Sequence, residues 1–308
     1  MSVELESATR LAALKSGIEA KTGETYTDLT GGVNALIAGY GQGGGDDEEA
    51  KKGLFYLTDY VDGHPTTLIY NCPGTATEKG LFATNSNYSG YILQYIKKVV
   101  MPDTVTTISN DTFSAASSLE EVSNWESITV VHDSAFSINS GGYIGTGKGL
   151  QYTEFPPNLT YIGRRAFRKN LLSIAGQIPD TVTHIDADAF AYGGNSNWEI
   201  TKLPSNLTYI GSNAFMCYRK LLITEIPATV DYVGSSAFHG VYDKTSLTLI
   251  KFLGTPTTVG TDAFINNTAL ADIYVPWAEG AVANAPWGAT NATIHYNTTY
   301  DENHNPIV

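Results

Sequence analysis

The stretch LPSNLTYIGSNAF (Leu203–Phe215) shows a pattern that the chain repeats between residues 102 and 264. The other copies read PDTVTTISNDTF (Pro102–Phe113), ITVVHDSAF (Ile128–Phe136), FPPNLTYIGRRAF (Phe155–Phe167), IPDTVTHIDADAF (Ile178–Phe190), IPATVDYVGSSAF (Ile226–Phe238) and FLGTPTTVGTDAF (Phe252–Phe264). The closing phenylalanines lie 23 to 31 residues apart. This period is shorter than the roughly 33–45 residues of helix-pair repeats. It predicts a solenoid of short coils, each packed against its two neighbours.

Apolar residues occupy the same places in each copy, which predicts one core shared by all coils. A single coil cannot bury its own apolar face, so neighbouring coils must stack. Strand signals also precede several prolines, at residues 152–156, 200–204, 223–227 and 273–276. Apolar and polar residues alternate there, and proline ends the strand because it lacks the N–H that a sheet requires. We therefore expect one strand per coil, forming a parallel sheet along one side.

The repeat resembles the BspA-type leucine-rich repeat, also called the Treponema pallidum type. The family theme IP-x-x-V-x-x-I-G-x-x-A-F matches Ile178–Phe190, Leu203–Phe215 and Ile226–Phe238, and the resemblance extends over about residues 101–296. Of the cysteines that often follow the phenylalanine in this family, the chain has only Cys217. The resemblance implies a mainly β leucine-rich-repeat solenoid with α+β character at its ends. It also implies a surface or adhesive protein, without naming a ligand.

The regions outside the repeats predict a modular chain. Apolar residues at helical spacing in residues 2–22 and 25–41 predict two short helices, and a hairpin is expected from Leu54–Asp62 and Thr66–Gly74. After the last repeat the family pattern implies a short helix, a last strand, an apolar end shielded by Trp277 and Trp287, and a solvated tail. The predicted parts are a helical docking or oligomerisation segment (1–40), a Gly-rich acidic linker (41–52), an N-terminal β cap (53–100), the solenoid (101–268), and a C-terminal cap with tail (269–308).

Residues 6–44 resemble N-terminal segments of tail-associated proteins in phages and prophages of gut Firmicutes. In those proteins a short helical segment and a Gly-rich linker precede variable, often ligand-binding domains. The resemblance implies that residues 1–40 dock onto other tail or baseplate proteins of a virion. It also implies release by cell lysis, and a homotrimer is the assembly that tail fibres suggest.

Composition excludes several classes of partner. The net charge of −13 disfavours nucleic acid and anionic membranes, because both select basic surfaces. No apolar run reaches 18 residues, so no spanning helix is expected, and the first 17 residues lack the pattern of a secretory signal. Cys72 and Cys217 fit no metal-ligand spacing, and two lone thiols are favoured over a disulfide.

No motif predicts catalysis, a metal or a cofactor. The glycine-rich stretch GGYIGTGKG (Gly141–Gly149) lacks the order of a phosphate-binding loop, and the six histidines show no ligand spacing. We expect a non-enzymatic protein, since the carboxylates alone do not specify a glycosidase pair.

Two sets of side chains are candidate ligand sites. The residue before the repeat's Ile or Val gives the first set, which we call the aromatic row: Tyr161, His184, Tyr209 and Tyr232. If these side chains leave the core, they present aromatic area and polar tips to a glycan or protein; the alternative is that they only cover the strands. The second set, the basic cluster, suits an anionic glycan or is ordinary solvated surface: Arg164, Arg165, Arg168 and Lys169. A further row, of alternating charge, is interpreted as solvated sheet face: Glu154, Gln177, Lys202, Glu225 and Lys251.

Three functions are consistent with these observations. The leading hypothesis is a phage or prophage tail fibre or receptor-binding protein, located in the virion, whose solenoid binds a bacterial cell-surface ligand. The alternative is a bacterial cell-surface adhesin of the same repeat family. A structural spacer or decoration protein is the third. The expected partner is a cell-surface glycan or protein, with no nucleic acid and no insertion into a membrane.

Overall fold

A computed structural model describes most of the chain from residue 55 onward. The described residues are 55–62, 64–70, 74–77, 95–114, 116–138, 149–152, 154–193, 197–240 and 247–307. The predicted N-terminal helices, the Gly-rich linker, Cys72 and most of the Gly141–Gly149 loop lie outside them. The predicted domain boundaries stay predictions.

A seven-stranded parallel sheet, here called the long sheet, runs through the repeats. Its strands, in chain order, are β4 (Thr107–Ile108), β6 (Val130–Val131), β8 (Tyr161–Ile162), β10 (His184–Ile185), β11 (Tyr209–Ile210), β13 (Tyr232–Val233) and β15 (Thr258–Val259). Each strand comes from the two residues of the repeat that precede Gly or its replacement. All six pairings are parallel and in register, so equivalent residues of successive coils lie side by side.

A second series of strands lies elsewhere on each coil and is broken into shorter sheets. Its strands are β1 (Phe55–Val61), β2 (His64–Tyr70), β3 (Lys98–Val100), β5 (Glu121–Ser123), β7 (Gln151–Tyr152), β9 (Ser173–Ile174), β12 (Glu225–Ile226), β14 (Leu249–Phe252), β16 (Asp272–Tyr274) and β17 (Thr293–His295). They form the sheets β1-β2-β3-β5, β7-β9 and β12-β14-β16-β17, and a bridge between Ile200 and Leu221 belongs to the same series. The strands expected before the prolines belong here, so the prediction of one strand per coil was wrong. The continuous sheet uses residues that follow the proline.

The core is a stack of phenylalanine rings, one from each coil. Successive ring centroids lie 5.3 to 5.7 Å apart and successive planes are within 16° of parallel. The stack contains Phe113, Phe136, Phe167, Phe190, Phe215, Phe238 and Phe264, all of them buried. The alanine before six of the seven rings, replaced by Thr112 before Phe113, allows the close approach of neighbouring backbones. For example, the Phe190 N–H donates to the carbonyl of Ala214 over 2.8 Å.

Close approach of the coils also explains the glycine that follows four of the seven strands of the long sheet. A Cβ atom placed on Gly211 would lie 2.3 Å from the backbone nitrogen of Ala187 in the preceding coil. The turn then continues through a residue with positive φ just before the alanine, such as Asn213 (φ 59°). Asn tolerates this left-handed conformation better than most residues.

The described N-terminal end is closed by the predicted hairpin. Strands β1 and β2 pair antiparallel, with Val61 opposite His64. The turn is therefore shorter than expected, because His64 and Pro65 belong to β2. Asp62 has a positive φ of 51°, and the sequence pair Asp62-Gly63 is a strong signal for a two-residue hairpin turn. Strand β2 then pairs in parallel with β3.

At the C-terminal end, Trp277 and Trp287 are buried as predicted. Both rings pack on Phe252, with centroids 5.2 and 6.0 Å away. The last strand, β17, also forms as the resemblance implied. The short helix expected between β16 and β17 does not form, because residues 276–292 adopt bends and turns instead. Positive φ angles at Gly280, Asn284 and Gly288 are incompatible with a continuous helix.

The tail is largely solvent-exposed, as predicted, but it is also ordered and bonded to the solenoid, which was not predicted. Residues 299–307 form a hairpin of β18 (Thr299–Tyr300) and β19 (Pro306–Ile307). The Tyr300 hydroxyl donates to the carbonyls of Phe252 and Tyr274, over 2.9 and 3.1 Å. Lys251 Nζ donates to the His304 carbonyl over 2.8 Å. Burial, and then the charge of Glu225, raise the pKa of Tyr300 to about 12, so this hydroxyl keeps its proton at neutral pH.

Candidate functional site

The long sheet places the aromatic row on its outer face. Tyr161, His184, Tyr209 and Tyr232 are register partners on adjacent strands. The next residue of each strand, for example Ile210 beside Tyr209, is buried in the core. Successive residues of a strand point to opposite faces, so the row leaves the core as the sequence suggested.

The rings of the row stack mainly on one another. Tyr209 and Tyr232 are nearly parallel, with centroids 4.7 Å apart and planes at 6°. His184 stacks on Tyr209 at 5.7 Å and 18°, whereas Tyr161 is tilted from His184 by 37° at 6.2 Å. From the sequence, both aromatic area and polar tips were expected to meet a ligand. Because neighbouring rings occupy the faces inside the row, the row presents mainly ring edges and polar tips; only the outer face of Tyr232, beside Thr258, has no ring on it among the described residues.

The row continues beyond the four predicted residues at one end. The His132 ring lies 6.0 Å from that of Tyr161, tilted by 58°. His132 follows Val130, the register partner of Tyr161, by two residues and therefore lies on the same side of its strand. At the other end the register partner of Tyr232 is Thr258.

Asp186 is a polar member of this site that is not among the candidate residues predicted from the sequence. The Tyr161 hydroxyl donates to Asp186 Oδ2 over 3.1 Å. Burial, followed by the charge and hydrogen bond of Asp186, raises the pKa of Tyr161 to about 12. One feature of the sequence could have indicated this role: Asp186 occupies the position at which the copy Leu203–Phe215 has Gly211.

Among the described residues, the hydroxyls of Tyr209 and Tyr232, at one end of the row, have no protein partner. Across the described ranges, no donor or acceptor contacts Oη of Tyr209 or Tyr232. Both residues are half-buried. Burial raises the pKa of Tyr209, with smaller effects from Tyr232 and Asp186, so its hydroxyl is protonated and able to donate at neutral pH.

A row of threonines flanks the aromatic row and serves the fold. The hydroxyls of Thr160, Thr183 and Thr208 donate to the carbonyl of the preceding coil's threonine over 3.0 to 3.3 Å. These bonds tie successive coils together. They also leave the tyrosine and histidine tips as the groups available for a ligand.

The basic cluster does not form one solvated patch. Lys169 is buried, and this burial, with a smaller effect from Arg168, lowers the pKa of its ammonium group. Arg165 Nε lies 3.6 Å from Asp188 Oδ2, and the Arg168 guanidinium lies 5.0 Å from the centre of the Tyr192 ring. Arg164 is exposed. Three of the four cations are therefore buried or lie next to an acid or ring of the protein itself. This weakens the hypothesis that the cluster binds an anionic glycan.

Comparison with known proteins identifies the family. A family model described as "BspA type Leucine rich repeat region" matches six copies, over residues 84–147 and 138–271. The chain belongs to the BspA-type leucine-rich-repeat family.

Two solved structures resemble this BspA-type chain at 16% identity. A leucine-rich repeat protein from Bacteroides ovatus has a TM-score of 0.37, covering 79% of this chain and 74% of that one. A leucine rich cell surface protein from Faecalibacterium prausnitzii has a TM-score of 0.33, covering 80% of this chain and 94% of that one. No curated protein matches the sequence.

Cys217 is a free thiol, as predicted, and burial raises its pKa. No group of three metal-ligating side chains occurs within the described ranges. Of the residues that the structure describes, none forms a helix long and apolar enough to cross a membrane.

The charged row on the second series of strands is partly covered. Glu225 and Lys251 are register partners and form an ion pair of 2.6 Å beneath the tail. Burial raises the pKa of Glu225, but the hydrogen bonds of Lys251 and His304 outweigh it and lower the pKa overall. Tyr274 and His295 continue this row, with rings stacked at 4.2 Å. Like the members of the aromatic row, these two residues are register partners whose rings stack.

Proposed function

We propose that this BspA-type protein is a non-enzymatic adhesion module of a bacterial cell surface, which holds its ligand against the aromatic row. The observation that carries the proposal is the row itself. Four aromatic side chains lie in register on the outer face of one sheet, and two of them have hydroxyls without a partner among the residues that the structure describes. Proteins of the family are typically non-enzymatic binding scaffolds at cell surfaces, which supports this function over catalysis. The ligand is a glycan or protein on another cell.

Tyrosine footprinting on intact cells tests where the ligand binds. The full chain is incubated with a panel of bacterial and epithelial cells, and bound and free protein are treated with a tyrosine-modifying reagent. We expect Tyr209 and Tyr232 to lose reactivity on binding, because the ligand covers their hydroxyls. Tyr274, stacked on His295 in the second series of strands, is the internal control and keeps its reactivity.

Each alternative result is informative. Protection of Tyr274 with Tyr209 still reactive would place the ligand on the second series of strands and refute the proposed site. Failure to bind any cell, with the thermal melt of the folded protein intact, would favour a structural spacer or decoration protein.

A phage or prophage tail fibre is the second candidate, supported by the resemblance of residues 6–44 to tail-associated proteins. Under this hypothesis residues 1–40 dock onto other tail or baseplate proteins and assemble a homotrimer, and the protein resides in the virion. Membership of the BspA-type family favours the cell-surface adhesin over this candidate, because the family has a cell-surface location.

The native mass of the full chain, compared with that of a chain beginning at Lys51, separates the two candidates. A cell-surface module with an independent solenoid gives the same oligomeric state in both. A trimeric full chain and a monomeric truncated chain would identify an assembly segment in residues 1–40 and favour the tail fibre. A thermal melt of both chains controls for misfolding.

A further inference from the structure

We infer that the ligand of the aromatic row is a neutral or amine-bearing glycan, bound by hydrogen bonds to the tyrosine hydroxyls rather than by stacking on the rings. The inference rests on the proposed function, since it names the ligand class of the same site. Three properties of the row lead to it: covered ring faces, polar tips without partners, and negative charge at one end.

The covered ring faces exclude the usual way in which aromatic side chains bind sugars. The Tyr209 and Tyr232 planes lie at 6° with centroids 4.7 Å apart, and His184 covers the other face of Tyr209. A sugar ring cannot insert between rings at this separation. A ligand that lies along the row therefore meets the edges and tips of these rings rather than their faces.

The tips are hydrogen-bonding groups at regular intervals. Oη of Tyr209 and Tyr232 has no partner among the described residues, and His184 uses only Nδ1, which contacts the Thr183 hydroxyl at 3.1 Å. A phenol hydroxyl both donates and accepts. Sugar hydroxyls do the same, so one sugar can bridge adjacent tips of the row.

The spacing of the row disfavours an extended peptide along the solenoid axis. Side chains on one face of a strand repeat about every 6.6–6.8 Å, twice the rise of one residue. Neighbouring ring centroids of the row are 4.7 to 6.2 Å apart, so each step along the row is shorter than the repeat of a peptide strand. A peptide therefore loses register over the four coils, whereas a glycan carries hydroxyls at closer intervals along its chain.

The charge around the row selects against acidic glycans. The Tyr161 hydroxyl is bonded to the Asp186 carboxylate, and the charges of Asp186 and Asp133 both raise the pKa of Tyr161. The chain as a whole carries a net charge of −13. A uronic acid or phosphate placed on the row meets this repulsion, while a protonated amino sugar at the Tyr161 end gains an ion pair.

The experiment measures binding of the full chain to immobilised neutral, amine-bearing and acidic glycans. We expect binding to members of the first two classes. Tyr209→Phe and Tyr232→Phe should each weaken it about two- to tenfold, the usual effect of one lost hydrogen bond. Phenylalanine preserves the ring stack, so the fold is retained. Asp186→Asn should increase binding to acidic glycans.

Different results overturn different claims. Binding restricted to acidic glycans overturns the inference alone. So does unchanged binding by both phenylalanine variants, because it shows that the hydroxyls are not used. If no glycan binds but footprinting on cells still protects Tyr209 and Tyr232, the ligand is a protein and the proposed function stands. If the footprint also moves to Tyr274, the proposed function itself fails.

Discussion

Replacing Phe215 by alanine should lower the free energy of unfolding by about 3–5 kcal/mol, as does Phe190→Ala, because each removes a fully buried ring. Phe215 stacks between Phe190 at 5.5 Å and Phe238 at 5.7 Å. Each coil of a solenoid contacts only its neighbours, so no distant part of the core can close the cavity. Alanine also keeps the backbone bond from residue 215 to the Ala237 carbonyl, so the cost reflects the ring.

Chemical denaturation of the variant and the unchanged protein measures this loss. Leu222→Ala is the matched control, because Leu222 is 40% exposed in the following coil and its truncation should change stability by only about 0.5 kcal/mol. Equal losses for Phe215→Ala and Leu222→Ala would refute a continuous phenylalanine stack. A large loss for Phe215→Ala alone agrees with it.

The repeats made the core and the aromatic row predictable from sequence. A solenoid places equivalent residues of successive coils side by side, so the position before Ile or Val in each copy defines a row once the repeat is aligned. Tyr161, His184, Tyr209 and Tyr232 follow from this logic. The same logic placed one phenylalanine in each layer of the core.

Features set by geometry between coils were not predictable. Whether Tyr209 shows its face or its edge depends on ring orientation, which the repeat does not specify. Asp186 was overlooked because its role depends on the position of the Tyr161 hydroxyl in the preceding coil. The strand signals before the prolines predicted only the second series of strands, and the long sheet was missed because its strands are just two residues long.

The contacts between the tail and the solenoid were unpredictable for another reason. His304 Nδ1 contacts Glu225 Oε2 at 3.0 Å, across 79 residues of sequence. No local pattern in the tail, which is polar and outside the repeats, records this contact. Sequence patterns indicate local structure and contacts between equivalent residues of successive repeats, and the contact between His304 and Glu225 belongs to neither kind.

The central claim is that the aromatic row holds the ligand, and cell binding by the double variant Tyr209→Ala/Tyr232→Ala tests it most directly. Buried tyrosines at binding sites often contribute about 2 kcal/mol or more each, so removing both should weaken binding at least about tenfold. Tyr274→Ala is the matched control, since this tyrosine stacks on His295 at 4.2 Å in the other series of strands. Thermal melts confirm that each variant is folded. The account predicts loss of binding by the double variant and binding within about twofold of the unchanged protein for Tyr274→Ala. Normal binding by a folded double variant would contradict it.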